Sequence, residues 1–283
     1  NIDAIYIYSD YLMNRLSNLE KNEELAFKYV EIAASMGHCT ALNDVGYNYY
    51  NGIVTDIDRK ESVKYFVKGF EEGSIIASYN LGHFLVYGDS KYGIDINFNE
   101  GMKYLKYASD NNNTSAIFHF SKNIANKKST KEELDEMEYY LKKGVYLKDV
   151  DLIALYANIL CRDNILQQDK VKAARYYKMS GDLGDSYGAR MYAKCLSEGF
   201  GVEANHDDAL KYLKMSADSG DIEGMVEYAS FLSKGEEGSY DKNEVIKYYK
   251  MAVEKGEANA EVDLTEAKRY LEMTKQKVNE QET

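Results

Sequence analysis

Two glycine-rich stretches invite a chemical reading: GDLGDSYG (Gly181–Gly188) and GFG (Gly199–Gly201). A glycine-rich loop cradles phosphate with its backbone N–H groups when it joins a β-strand to a helix. No strand pattern precedes either stretch here. Thirty-six residues after YYKMSGDLGDSYG (Tyr176–Gly188) the chain reads YLKMSADSGDIEG (Tyr212–Gly224), so these glycines belong to a period. Gly37, Gly73, Gly184, Gly220 and Gly256 are expected to close helices in the left-handed conformation that glycine tolerates, and GFGV (Gly199–Val202) to bend the chain between two helices.

Other groups that could do chemistry do not assemble in the sequence. The four histidines, His38, His83, His119 and His206, lie far apart along the chain and outside any HExxH or Cys/His pattern. Cys39, Cys161 and Cys195 have no CxxC spacing and do not keep step with the period, so they read as free reduced thiols, with neither a zinc site nor a disulfide framework. Carboxylate pairs at helical spacing are inevitable among 47 acidic residues, and none stands out as a general acid and base. GxSxG and GxxxxGK[ST] loops are absent. The expectation is a protein that is not an enzyme and takes no metal or cofactor, with a small-molecule ligand disfavoured.

The elements that would position any site are helices. Across 283 residues one set of tyrosines recurs at Tyr29, Tyr65, Tyr104, Tyr139, Tyr176, Tyr212 and Tyr248, with gaps of 36, 39, 35, 37, 36 and 36. A second set, mostly small, runs Ser9, Gly46, Gly82, Ser121, Ala157, Ala193, Ala229 and Thr265, and a further small residue falls five positions earlier at Ala4, Ala41, Ala77, Ala116, Gly188, Gly224 and Ala260. Both sets sit in helical patterns such as IASYNLGHFLVYG (Ile76–Gly88), and small residues at these spacings let helix backbones approach closely. Each period therefore predicts two helices, the first carrying the small residues and the second the tyrosine.

GARMYAKCLSEGFGV with KAARYYKMSGDLG, and EGMVEYASFLSKGEEG with DALKYLKMSADSG, resemble the Sel-1-like repeat family, a tetratricopeptide-like group. The resemblance extends over essentially the whole chain. It implies an all-α, right-handed solenoid forming a single domain of seven helix pairs, 2–37, 38–73, 74–112, 113–147, 148–184, 185–220 and 221–256, followed by a charged capping helix over 258–283. Two units depart from the pattern. The third has a long connector, GDSKYGIDINFNEG, and DNNN in place of its closing glycine; the fourth reads YYLKKGVYLKD and follows the lysine-rich KNIANKKSTKEEL. Either connector is a tolerated surface insertion or a place where the scaffold acquires a binding role.

The resemblance also implies a use: an adaptor or scaffold that binds other proteins or peptides on the concave surface lined by the first helices. Carried onto this sequence, that surface offers Tyr6, Asp10 and Asn14, then Asn43, Tyr47 and Tyr50, then Tyr79, His83 and Tyr87. It continues through Phe118, Lys122, Asn158, Arg162, Arg190, Lys194 and Ser230, turning basic around Arg190 and Lys194. A peptide anchored on Tyr47, Tyr50 and Tyr79 is the sharper expectation, and packing of these tyrosines between helices the plainer one. On the opposite side Lys28, Lys64, Lys103, Arg175, Lys211 and Lys247, joined by Lys106, Lys178, Lys214 and Lys250, predict a basic stripe, either balanced by neighbouring carboxylates or open to an acidic partner. Alternatives of another class are a structural subunit of a larger assembly, an adaptor arm of an endoplasmic-reticulum quality-control complex, and a signalling scaffold.

A net charge of -12 argues against a sequence-independent nucleic-acid binder. No apolar run approaches the roughly 20 residues of a membrane span. NIDAIYIYSD shows no basic region followed by an apolar stretch, so a cytoplasmic protein is expected, although the missing initiator Met suggests a start further upstream. The sequons at Asn112 and Asn113 matter only if the chain enters the endoplasmic-reticulum lumen.

Overall fold

A computed structural model describes residues 1–14, 22–163, 165–233 and 242–259. Among the described residues every regular element is helical, apart from a single isolated bridge between Asp89 and Ile94. The helices fall in pairs: α1 (Ile2–Asn14) with α2 (Glu23–Ser35), α3 (Cys39–Asn51) with α4 (Arg59–Glu71), α5 (Ile75–Tyr87) with α6 (Phe98–Asp110), and α7 (Thr114–Ala125) with α8 (Lys131–Tyr146). Then follow α9 (Val150–Leu160) with α10 (Lys170–Asp182), α11 (Ser186–Glu198) with α12 (His206–Asp218), and α13 (Ile222–Ser233) with α14 (Lys242–Asn259). The chain divides into two compact units, residues 1–140 and residues from 141 onward, the division falling within α8.

The turns between pairs answer the question posed by the glycines. Gly37, Gly73, Gly184 and Gly220 all have φ between +86° and +98°, each two residues beyond a second helix. The next residue, His38, Ser74, Asp185 or Asp221, turns its side chain back onto the first turn of the following helix; Asp185, for example, accepts the Gly188 N–H at 2.8 Å. Gly-Asp is thus a stop followed by an N-cap. Asn112 and Lys148 take the left-handed position where the third and fourth pairs lack glycine. Gly199 is the left-handed C-cap of α11, and a side chain on Gly201 would strike the Lys170 carbonyl.

Two sequence expectations are corrected. Gly256 closes nothing: it lies inside α14, which runs on to Asn259, so the capping helix expected from 258 begins within it and from residue 260 lies outside the described residues, as do Ala260 and Thr265. In the fourth pair the anchor is Tyr140 and not Tyr139. Tyr139 is 61% exposed, whereas Tyr140 is fully buried and donates its hydroxyl to Asp110. Tyr212 and Tyr248 donate in the same way to Asp182 and Asp218, each 30 residues earlier, as Asp110 is from Tyr140.

The two sets of small residues serve two different joints. Gly82 packs within its own pair: a Cβ there would sit 2.8 Å from the Leu105 amide nitrogen and 2.9 Å from the Gly101 carbonyl. The set five residues earlier packs backward onto the preceding pair, Ala77 under Gly69 and Gly188 under Ser180. Around these contacts run apolar clusters, with Phe27, Val30, Leu42 and Val45, then Phe66, Leu81, Phe84 and Ile94, in the first compact unit, and Tyr177, Leu196, Leu213, Tyr228 and Tyr249 in the second.

The long connector of the third pair folds onto its neighbours. The Arg59 guanidinium lies 4.2 Å from the Tyr50 ring centre and 4.4 Å from that of Tyr92, and it is ion-paired with Asp89. Ile94 is buried beside Phe84. Before α8, Thr130 and Glu133 form a reciprocal capping box, and Lys127 pairs with Glu133 at 2.6 Å.

Candidate functional site

In the first compact unit the first helices α1, α3, α5 and α7 carry the candidate residues, and their inward rows divide into three kinds. One is a polar ladder. Tyr6 stacks on His38 at 4.4 Å and donates to Asp44 at 2.7 Å; Asn43 donates to Asp44 at 3.2 Å and accepts from Asn80 at 2.9 Å. Burial raises the Asp44 carboxyl above the ordinary carboxylate range, with the hydrogen bonds from Tyr6 and Asn43 pulling the other way. Tyr6 and buried Asn43 therefore join the first helices of successive pairs, α1 to α3 and α3 to α5. Asp10 stays exposed, and Asn14 ends α1.

A second kind is core. Tyr50 meets Phe84 edge to face at 4.7 Å with Arg59 over its ring, so its aromatic surface is spent between repeats.

The third kind is an accessible aromatic patch. Tyr47 is 51% exposed and Tyr87 43%. Beside Tyr87, half-buried Tyr79 and His83 on α5 meet His119 on α7, with the two imidazole rings 4.8 Å apart at 90°, and Phe118 lies edge to face with His119. Tyr87 shares a hydrogen bond with His119 at 3.1 Å and accepts one from Asn123 at 3.0 Å. Exposed Lys122 closes the edge, its ammonium 5.7 Å from the Phe118 ring. Burial, with the neighbouring His83 and Lys122 charges adding to it, lowers His119 to about 4, and burial lowers His83 as well. At neutral pH these rings form an uncharged surface with hydrogen-bonding edges. Histidines that lie far apart in the sequence are thus neighbours, one repeat apart.

In the second compact unit the candidates behave differently. Asn158 accepts from the Tyr177 and Tyr187 hydroxyls at 2.6 and 2.8 Å. Arg190 is enclosed by Asp221 at 3.0 Å, Glu227 at 3.3 Å and Glu223. One cation among three carboxylates makes this stretch acidic, where the sequence suggested a basic turn. Arg162 and Lys194 are exposed. Lys194 and Ser230 border a shallow groove of about 320 Å³ over Leu213, Val226 and Phe231.

The lysine stripe on the second helices is largely neutralised. Lys64, Lys103 and Lys211 pair with Glu61, Glu100 and Asp208 on their own helices, while Lys106 and Lys214 reach the next pair's Glu136 and Glu244, at 2.5 and 2.6 Å. Among the described residues no group of three or more His, Cys, Asp or Glu side chains is placed to hold a metal ion, and no helix is long and apolar enough to cross a membrane.

His119, Asn123, Asp44 and Asn80 were not among the residues carried over from the family pattern. His119 lies two positions before Ser121, just off the rows taken as inward-facing, and only its 36-residue distance from His83 hinted at the pairing.

Helix pairs of this kind, in which within each compact unit a second helix packs on the next first helix, as α4 on α5 and α10 on α11, define an all-α solenoid of the tetratricopeptide-like class. The Sel1 repeat model matches residues 2–38, 40–74, 75–113, 156–185, 186–221, 222–257 and 248–274, and the chain belongs to the Sel1 repeat family. Residues 114–155 fall outside those matches, although α7 and α8 form a helix pair there, and the last match lies mostly beyond the described residues. Among the solved structures similar to this chain, two show the fold. One is c5321, a protective antigen of uropathogenic Escherichia coli with an SLR fold, at TM-score 0.73 and 20% identity over 92% of this chain. The chain spans 55% of the length of that antigen. The other is a Sel1 repeat protein from Oxalobacter formigenes, at TM-score 0.68 and 22% identity, over 88% of this chain and 96% of that one. No curated protein sequence matches the chain.

Proposed function

We propose that this chain is a non-enzymatic scaffold that recruits a partner protein or peptide to the aromatic patch on α3, α5 and α7. The fold is of a kind that commonly serves as a protein-interaction scaffold, which sets the class of function. The observation that carries the choice of surface is the cluster of Tyr79, His83, exposed Tyr87 and His119, with Tyr47 exposed on the neighbouring first helix α3. Tyrosine offers large contact area at small entropic cost, and the Tyr87, Asn123 and His119 edges add directional hydrogen bonds. Tyr47 and Tyr79 keep their place as anchors in this reading. Tyr50 gives way to Tyr87 and Phe118, because its ring is occupied by Phe84 and Arg59.

The test is photo-crosslinking in the native source with a benzophenone amino acid at position 47 or 87, alongside capture by a Tyr47→Ala/Tyr87→Ala/Phe118→Ala variant. Crosslinks from both positions to the same protein, lost from capture by the variant while its circular dichroism stays unchanged, are expected. Full capture by a folded triple variant would remove the patch from consideration.

A further inference from the structure

Successive joints bring the same three register positions together, and at the joint of α11, α12 and α13 they leave a groove between them. The positions are four residues after the small residue of one first helix, one residue after the tyrosine of the second helix, and two residues after the small residue of the next first helix. At α3, α4 and α5 they are Tyr50, Phe66 and Phe84, and the rings close on one another, Tyr50 with Phe84 at 4.7 Å and Phe66 with Phe84 at 5.7 Å. At α9, α10 and α11 they are Cys161, Tyr177 and Cys195, with the Cys161 sulfur 3.7 Å from the Tyr177 hydroxyl. At α11, α12 and α13 they are Ser197, Leu213 and Phe231. A serine thus stands where Tyr50 supplies a ring, and a leucine where Phe66 and Tyr177 supply theirs.

The groove of about 320 Å³ has Leu213 as its floor, Val226 and Phe231 along α13, and Lys194 and Ser197 along α11. Its size is at the lower end of the roughly 300–1,000 Å³ of sites that enclose a whole small molecule, which suits a single side chain. The Phe231 ring lies 5.8 Å from that of His206, and His206 holds the register of Arg59, whose guanidinium stands 4.2 Å from the Tyr50 ring centre. Along α13 the rim is acidic. Arg190 is shared among Asp221, Glu223 and Glu227, and the last two side chains stay 57% and 45% exposed. Burial raises the Glu227 carboxyl above the ordinary range although Arg190 pulls it down, so one guanidinium does not offset the group and a further cation would be favourable there. On the α11 wall, Lys194 is exposed.

We propose that this groove takes one aromatic side chain from a peptide segment of a partner protein, and that a lysine or arginine next to it in that segment pairs with Glu227 and Glu223. The incoming ring takes the place that Tyr50 fills in its own joint, over Leu213 and against Phe231. Charge complementarity chooses its neighbour: carboxylates outnumber cations around the groove, on a chain of net charge -12, so a basic residue is favoured and an acidic one repelled. Ser197 makes the site, because a ring at that position would fill the groove from within the chain. The groove lies at an interior joint of the second compact unit, walled by three helices, and it stands or falls independently of the aromatic patch on α3, α5 and α7.

The probes are three blocked dipeptides, N-acetyl-Phe-Arg-amide, N-acetyl-Phe-Glu-amide and N-acetyl-Ala-Arg-amide, titrated against the whole chain while the methyl resonances of Leu213 and Val226 are followed by NMR. The Phe-Arg peptide is expected to shift both residues' methyls saturably, and the Ala-Arg peptide to leave them in place. The Phe-Glu peptide should bind about three-fold more weakly or worse, a gap that narrows in Glu227→Gln. Ser197→Tyr, which supplies the ring from within, should abolish the shifts and raise the thermal midpoint. Lys194→Glu, at an exposed position, should keep the binding and widen the preference for arginine, so the proposal does not hang on one variant. Unmoved Leu213 and Val226 methyls overturn it, as does equal binding of the Phe-Arg and Phe-Glu peptides or undiminished binding by folded Ser197→Tyr. So do shifts that grow with protein concentration in the absence of peptide and vanish in Ser197→Tyr, since a second copy of this chain would then be the occupant.

Discussion

His119 shows what one residue adds to the patch. Its imidazole is held near 4 against an ordinary 6.5, first by burial and then by the positive neighbours His83 and Lys122. Between those two values the unfolded chain binds the proton and the folded chain does not, so stability is full above about pH 6.5 and declines as the pH falls toward 4. His119→Gln, which keeps hydrogen-bonding capacity without the titration, is expected to lose less stability than the parent between pH 7.5 and 4.5 in urea denaturation. Identical losses would show that the imidazole is not held neutral. Tyr87 and Asn123 are the hydrogen-bonding neighbours.

At the scale of elements, the stack depends on glycine at two kinds of place, for a different reason at each. At Gly82 the requirement is space. An added Cβ meets backbone atoms of α6 at 2.8 and 2.9 Å, and backbone cannot swing aside as a side chain can. Gly82→Ala is expected to cost about 1–3 kcal/mol through overpacking. At Gly73 the requirement is conformational: nothing lies within 4 Å, but φ is +86°. Gly73→Ala is expected to cost about 1–2 kcal/mol, and Gly73→Asn less. Urea midpoints of the three variants test this ordering, and Gly82→Ala at parental stability would mean that α5 and α6 separate freely. The period predicts both glycines, but it does not say which one is tight and which is strained.

For the molecule as a whole, charge and shape make separate contributions. A net charge of -12 repels acidic partners over long range, and much of the lysine stripe is locked into ion pairs such as Lys178–Asp182 and Lys214–Glu244. A partner held on neutral rings should therefore be insensitive to salt. Binding at the patch is expected to change by less than about two-fold between 0.05 and 0.5 M NaCl, measured by anisotropy of the captured partner's peptide, because screening acts on exposed charge and hardly on aromatic burial. A fall of ten-fold or more would place the binding energy in Lys122 instead.

The sequence by itself determined the repeating unit. Its period arises because successive joints solve the same problem with similar residues: a small residue where backbones touch, an anchoring tyrosine, a left-handed residue that is mostly glycine and a capping side chain such as Asp185 or Asp221. Local spacing is enough to reveal those, which is why the helix pairs, the family and the closing role of Gly184 and Gly220 were legible. Tertiary structure decided what local spacing leaves open. Adjacent Tyr139 and Tyr140 compete for one anchor, and the packing of α8 turns the second of them inward to Asp110. Arg190 looks free until Asp221, Glu223 and Glu227 arrive from the next helix pair. His83 and His119 become one site only when two repeats stack. A side chain's neighbours along the helix are written in the period, but whether it faces a partner or a carboxylate depends on what the next turn of the stack places across from it.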